Sequence, residues 1–314
     1  MKNLKEIKWA FFGSSHFSVL VLNELESLGA LPQLIVTTPD KPRGRGLKIE
    51  PGEVRAWAEA RNIPVLAPES LKNGAGEGFI KDFESRGPWD TALIASYGKI
   101  VPLAVLNIPA RGTLNIHPSL LPKLRGPSPI ESAILEENET GVTIMQVDEQ
   151  VDHGPIVAAR PVVFSSTDTQ TTTQTAINQE WPPYFKDAES TLAREGAKLF
   201  AEVLPGWVSG EISAQEQNHS AATFTKKFEK EDLRLNLTDS DADNSPTLVE
   251  KNLRKIRAFS ENRGAYYFQK SGDKEIRVIV TRARTENGKL IIEKVKPEGK
   301  NEMGYKDFLR GVIN

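Results

Sequence analysis

The chain has 314 residues, 39% of them hydrophobic and 26% charged, with a formal net charge of −2 and no cysteine. This composition excludes a disordered chain, a disulfide scaffold, a thiolate nucleophile and cysteine-ligated zinc. No apolar run reaches the roughly 18 residues of a membrane helix, and the start lacks the h-region of a signal peptide, so the sequence reads as a cytoplasmic protein long enough for two cores.

The first two thirds alternate between two periods. IKWAFFGSS (7–15) is a buried-strand pattern entering a Gly-Ser turn, and FSVLVLNELESLGA (17–30) carries apolar residues at helical spacing. LPQLIVTT is the next strand; VRAWAEARN, IPVLAP, GFIKDFESRG and DTALIASYG continue as helix, strand, helix and strand, and GTLNIHPS (112–119) is another strand. Alternation of this kind predicts right-handed crossovers and a mostly parallel, Rossmann-like sheet, with ligands bound beyond the carboxyl ends of the strands. Both ASYG and NIHPS fall at such ends.

SPIESAILEENE reads as a helix, GVTIMQVDEQVDHGPIVAARPVVF (141–164) as strand, turn and strand, and the Thr- and Gln-rich stretch 165–185 as a loop or lid. A long helix follows to about residue 208. Beyond it SAATFTKK, GAYYFQK, EIRVIVTRAR and KLIIEKVKP are short β-type runs, with PTLVEKNLRKIRAF as one helix among them. The expected division is therefore 1–208, an α/β domain, and 209–314, a small OB-like β-barrel of the kind that binds nucleic acid or sugar. From Leu248 to Asn314 there are 16 Lys and Arg against 9 Asp and Glu, leaving 24 against 33 ahead of them. A basic tail on an acidic front fits either a polyanion partner or a solvated strand-rich surface.

Three local patterns carry chemistry. GSS at 13–15 opens a helix and lacks the G-x-G-x-x-G of dinucleotide sites; His16 beside it has no evident partner in the sequence. TTPDKPRGRGLKIEP (37–51) gathers Lys41, Arg43, Arg45 and Lys48 among glycines and prolines, either as an exposed connection or as a basic arm that reaches a phosphate backbone. NIHPS sets Asn115 and His117 at a strand end, and VDEQVDHGP offers Asp148, Asp152 and His153 as a third member. Asn115 can donate to a carbonyl oxygen, His117 can donate or exchange a proton, and a carboxylate can set the charge and orientation of the histidine. Such a set suits acyl transfer to an amine, which needs no protein nucleophile. Neither H-x-x-x-H nor H-E-x-x-H occurs, so no metal site is expected.

NIHPSLLPKLRGPSPI followed by GVTIMQVDEQVDHGPI resembles the formyltransferases that use 10-formyltetrahydrofolate. TTPDKPRGRGLKIEP, SYGKIVPLAVL, TKKFEKED, IRAF and the terminal KPEGKNEMGYKDFLRG are similar to the methionyl-tRNA branch of that family, and the likeness spans nearly the whole chain. The resemblance implies Asn115, His117 and Asp152 as the catalytic set. It implies Ser119, Leu120, Leu121 and Pro122 along the folate site, with Tyr97, Gly98 and the turn from Val147 and Asp148 to His153 around the pterin. It implies Arg45 and the neighbouring Lys41, Arg43 and Lys48 toward tRNA, an OB-like C-terminal domain, and initiator methionyl-tRNA as partner of a monomer. The chain departs from that branch with Val151-Asp152-His153-Gly154 where Leu-Asp-Thr-Gly is usual, and with RGPSPI where Arg-Gly-Ala-Ala-Pro-Ile is commoner. His153 then either adds a proton acceptor beside Asp152 or fills a turn.

Overall fold

The structure, a computed structural model, describes residues 3–43, 48–71, 73–164, 181–237, 245–260, 263–271 and 274–312. Arg45 and most of the Thr- and Gln-rich stretch lie outside the described residues.

Contacts divide the chain into two compact units. One comprises Met1–Gly126, Thr140–Val162 and Ser190–Phe224; the other comprises Pro127–Glu139, Val163–Glu189 and Thr225–Asn314. The division expected at 208/209 falls inside the last segment of the first unit.

The first unit is a seven-stranded sheet. Its strands are β1 (Trp9–Phe12), β2 (Leu34–Val36), β5 (Val65–Leu66), β6 (Thr91–Ile94), β7 (Thr113–His117), β8 (Thr140–Gln146) and β9 (Ile156–Val162). They lie in the order β5-β2-β1-β6-β7-β8-β9, with the five from β5 to β7 parallel and β8 and β9 antiparallel. The crossovers carry α1 (His16–Ser27), α2 (Glu53–Glu59), α3 (Asn73–Ser85) and the short α4 (Leu103–Leu106); α6 (Phe185–Ser209) follows the sheet in sequence. The apolar run WAFF is buried at every position, as a strand covered on both faces must be. Phe12, Phe83 and Tyr97 meet edge-on in one cluster under α3, and Phe200 of α6 packs on Trp9. Between β2 and α2, the basic stretch 37–51 contains a two-stranded ribbon of β3 (Lys41–Arg43) and β4 (Lys48–Glu50).

In this order the sheet reverses direction of winding between β1 and β6, the place where open α/β sheets bind ligands. The turn after β1 is stitched to the loop after β6: Ser14 N–H and Oγ donate to the carbonyls of Ser96 (3.2 Å) and Tyr97 (2.7 Å), and Ser18 Oγ donates to Ala95 (2.6 Å). The GSS motif is therefore structural here. A Cβ on Gly13 would lie 2.5 Å from the Phe11 ring, which explains the glycine.

The second unit contains α5 (Pro129–Glu136), α7 (Pro246–Ala258), β10 (Tyr266–Ser271), β11 (Lys274–Glu286), β12 (Lys289–Pro297), β13 (Met303–Gly304) and α8 (Tyr305–Val312). β10 to β13 form one antiparallel sheet, with register shifts in β11 around Arg282 and a single bridge from Tyr266 to Arg234 on the outer edge. Its core joins Leu253 and Ile256 of α7 to Tyr267, Val278, Val280 and Val295. SAATFTKK, expected as a strand, is instead a short 3-10 turn at His219–Ala221 and an extended segment, since its backbone pairs with the loop after β7 through one bridge, Arg125 to Phe224.

Candidate active site

Strand β7 has a period of two, so Thr113, Asn115 and His117 share a face while Leu114 and Ile116 fill the other. Asn115 is half-buried and its amide has no hydrogen-bond partner among the described residues. His117 is 4% exposed. Its Nδ1 faces Asp152 Oδ1 at 3.5 Å and its Nε2 faces the Leu124 carbonyl at 2.9 Å. A neutral ring satisfies one of those two acceptors as a donor, and an imidazolium satisfies both.

The loop that follows is held from several sides. Ser119 N–H donates to the His117 carbonyl, Ser119 Oγ donates to Lys123 O at 2.7 Å, and Thr143 Oγ1, across the strand pair, donates to Ser119 O and accepts from Leu121 N–H. Leu121–Pro122 is cis, and Leu124 has φ +60, an uncommon conformation for a residue with a Cβ. Its N–H is bound by Thr223 Oγ1 at 2.8 Å. That left-handed residue turns the Leu124 carbonyl onto His117.

Asp152 also has positive φ, +50. Its Oδ2 accepts from Gly126 N–H at 2.8 Å, leaving Oδ1 toward His117. In the same turn a Cβ on Gly154 would collide with the Gln146 carbonyl, so the chain requires glycine there. Asp148 does not reach His117: its Oδ2 binds His153 Nδ1 at 2.7 Å. The three acid and histidine candidates of this turn are thus sorted, Asp152 to His117 and Asp148 to His153. No group of three or more His, Asp or Glu suited to a metal ion occurs among the described residues.

Residues 7–185 match the formyl transferase family. Methionyl-tRNA formyltransferase of Chloroflexus aurantiacus is 39% identical over 261 residues, 82% of this chain and 75% of that protein. The protein of the same name from Dictyoglomus turgidum is 32% identical over 96% of this chain and 95% of its own. The chain belongs to the methionyl-tRNA formyltransferase family. A solved methionyl-tRNA formyltransferase from Clostridium thermocellum, 15% identical, superposes with a TM-score of 0.54 over 93% of this chain and 98% of that one, a likeness of fold.

With the family known, the remaining expected residues can be placed. Tyr97 is 1% exposed, its ring lies in the core cluster and its carbonyl accepts from Ser14 Oγ, so contrary to expectation the residue is closed to a ligand, and of the pair only Gly98, at φ +75, is exposed. Burial pushes the Tyr97 phenol up to about 12. Ser119 and Leu121 are buried and tied into the loop, whereas Leu120, Pro122, Val147 and Asp148 are half-buried. Val147 N–H bonds to Thr113 O at 2.8 Å, fixing the turn to β7. Lys41, Arg43 and Lys48 sit on the β3–β4 ribbon, with side chains outside the described residues. His16 pairs with Glu53 at 3.0 Å on the surface.

Sequence reasoning missed Arg125 and Gln217. Both are buried and bonded to each other, 92 positions apart. A separation of that size leaves no local pattern; the one signal was an arginine set between a leucine and a glycine in a loop of apolar residues.

Proposed function

We propose that the protein transfers the formyl group of 10-formyltetrahydrofolate to the α-amine of methionine on initiator tRNA. The observation that carries this reading is the strand end where the free Asn115 amide shares a face with His117, and His117 is backed by Asp152 at 3.5 Å.

The donor brings an amide-like carbonyl whose carbon the amine attacks. Leu120, Pro122, Gly98 and the turn at Val147 and Asp148 would hold it, because these are the groups left at least partly open around the ends of β6, β7 and β8. Asn115 donates its N–H to the carbonyl oxygen as charge develops there, a stabilisation of about 3 kcal/mol from a fixed donor. His117 adds positive charge next to that oxygen when doubly protonated. Asp152 holds the imidazole in place and takes part in moving the proton of the amine, directly or through water, to the folate N10, whose bond to the formyl carbon breaks as tetrahydrofolate leaves. The basic residues of the ribbon and the C-terminal unit bind phosphate, and specificity for the initiator comes from shape and the acceptor end.

The test is formylation by the purified protein with 10-formyltetrahydrofolate on methionyl initiator tRNA, methionyl elongator tRNA and an amino-sugar nucleotide. Product on the initiator alone is expected. Product on the sugar alone would keep the site and overturn the acceptor; no product on any would overturn the reading.

A further inference from the structure

Asp152 holds a costly backbone conformation for a residue with a side chain, and the groups that hold it form a chain of contacts from buried Gln217 and Arg125 to His219, whose side chain is 42% exposed. Gln217, 5% exposed, donates from Nε2 to the carbonyls of Asp152 (3.0 Å) and Gly154 (2.7 Å). Its Oε1 accepts from Arg125 Nε (3.2 Å) and Nη2 (2.6 Å). A guanidinium only donates, so its position fixes which end of the amide is oxygen and aims the NH2 at the turn. Arg125, 4% exposed, forms no ion pair with a carboxylate among the described residues; a buried cation of this kind needs neutral acceptors. The second is His219, whose Nδ1 lies 2.9 Å from Arg125 Nη2.

That contact defines the state of His219. Nδ1 must offer a lone pair to the guanidinium, so the ring is neutral with its proton on Nε2, toward Glu216 Oε2 at 3.9 Å. Its face stacks on His153 with centroids 4.2 Å apart and planes within 6°, and His153 is bound to Asp148. The charged and titratable groups around His219 are therefore Arg125, His153 with Asp148, and Glu216. A second proton on His219 would set donor against donor at Arg125 and place a cation against the guanidinium.

We propose that Arg125, Gln217 and neutral His219 are positioning residues for Asp152: they keep its carboxylate on His117, and protonation of His219 releases the turn. The proposal rests on the catalytic assignment of Asp152. It accounts for His153 as a ring that covers His219, rather than as a second acceptor at the reacting groups.

The experiment measures kcat and KM of methionyl-tRNA formylation against pH for the parent, Q217A, Q217E, H219N and D152N, with thermal stability of each. Q217A should lower kcat by about 10- to 100-fold, the scale of a displaced catalytic group, with little change in KM. Q217E should fail to restore it: a carboxylate pairs better with Arg125 yet cannot donate to the two carbonyls. H219N retains an acceptor at the Nδ1 position that does not titrate. Its acid limb, normalised to its own value at pH 8, should fall with one proton fewer than the parent's as pH drops through the range where imidazoles gain a second proton. Full activity in Q217E, or an acid limb of H219N matching the parent's, overturns the positioning role. D152N serves to separate the two readings: if it is as active as the parent, the catalytic assignment has failed instead.

Discussion

Asn115 and His117 are two residues apart on one strand and have opposite surroundings. His117 is sealed, with both ring nitrogens facing protein acceptors; Asn115 is half-buried, and its amide has no hydrogen-bond partner among the described residues. On the proposed reading a carbonyl oxygen under attack has Asn115 as its direct donor, with His117 packed behind it. Asn115→Ala should lower kcat by about 100- to 1,000-fold, the usual loss of one such donor, and leave KM for tRNA near the parent value in steady-state assays. Tyr97 supports the opposite expectation. Its hydroxyl is buried without a hydrogen-bond partner among the described residues, and burial raises the phenol to about 12. Unfolding lets it ionise at its ordinary value near ~10, so its contribution to stability is complete below that pH and is lost as pH rises toward 12. Tyr97→Phe removes both the unpaired hydroxyl and this slope. Urea midpoints should show the variant at least as stable as the parent at pH 8 and further ahead at pH 11; a constant difference would contradict the assignment. Tyr267, also raised by burial with a smaller effect of Tyr305, leaves part of the slope in place.

At the scale of elements, what was readable followed from periodicity. β1, β6 and β7 are plain as buried runs and Asn115 and His117 stand out at a strand end, whereas the residues alone leave Asp148, Asp152 and His153 open as the third member and only the family resemblance points to Asp152. Elements set by distant partners were not. The segment 220–227 has β-type composition yet takes one bridge instead of a ladder, and the terminal helix α8 is defined by Phe308 reaching the core of the second unit. Arg254 shows how much one such partner supports. From α7 it donates to the carbonyls of Ile134 (3.1 Å) and Glu137 (2.7 Å) and to Asn138 Oδ1 (2.8 Å), capping the negative end of α5. Trp181 Nε1 shares the Glu137 carbonyl at 2.8 Å. Arg254→Ala removes the donor to the buried Ile134 carbonyl and one of two donors to the part-buried Glu137 carbonyl, and should cost about 2 to 4 kcal/mol in chemical denaturation. Arg254→Lys should recover only part of the loss, since an ammonium cannot fork across three acceptors.

On the proposed reading the whole molecule separates chemistry from recognition by composition. The acidic 1–247 segment carries the strand-end site, and the basic remainder belongs to the second unit. Charge counting overstated what that remainder can offer a partner. Arg254 is spent on α5, Arg257 bonds to the Pro182 carbonyl, Arg277 lies over the Tyr266 ring at 4.1 Å, and Arg284 and Lys294 pair with Glu293 and Glu302. Only cations outside such contacts can neutralise phosphates, so the salt response should reflect a few charges instead of the full excess. Three phosphate contacts would weaken binding about 40-fold between 50 and 200 mM monovalent salt. KM for methionyl-tRNA should rise on that scale while kcat at saturating tRNA stays nearly constant, because the Asn115, His117 and Asp152 set lies in the first unit and is partly or wholly withdrawn from solvent, where screening is weak. A KM indifferent to salt would mean that neither the β3–β4 ribbon nor the basic unit meets the nucleic-acid backbone. A kcat that fell in step with binding would mean that the phosphate contacts also set the geometry of the reacting amine.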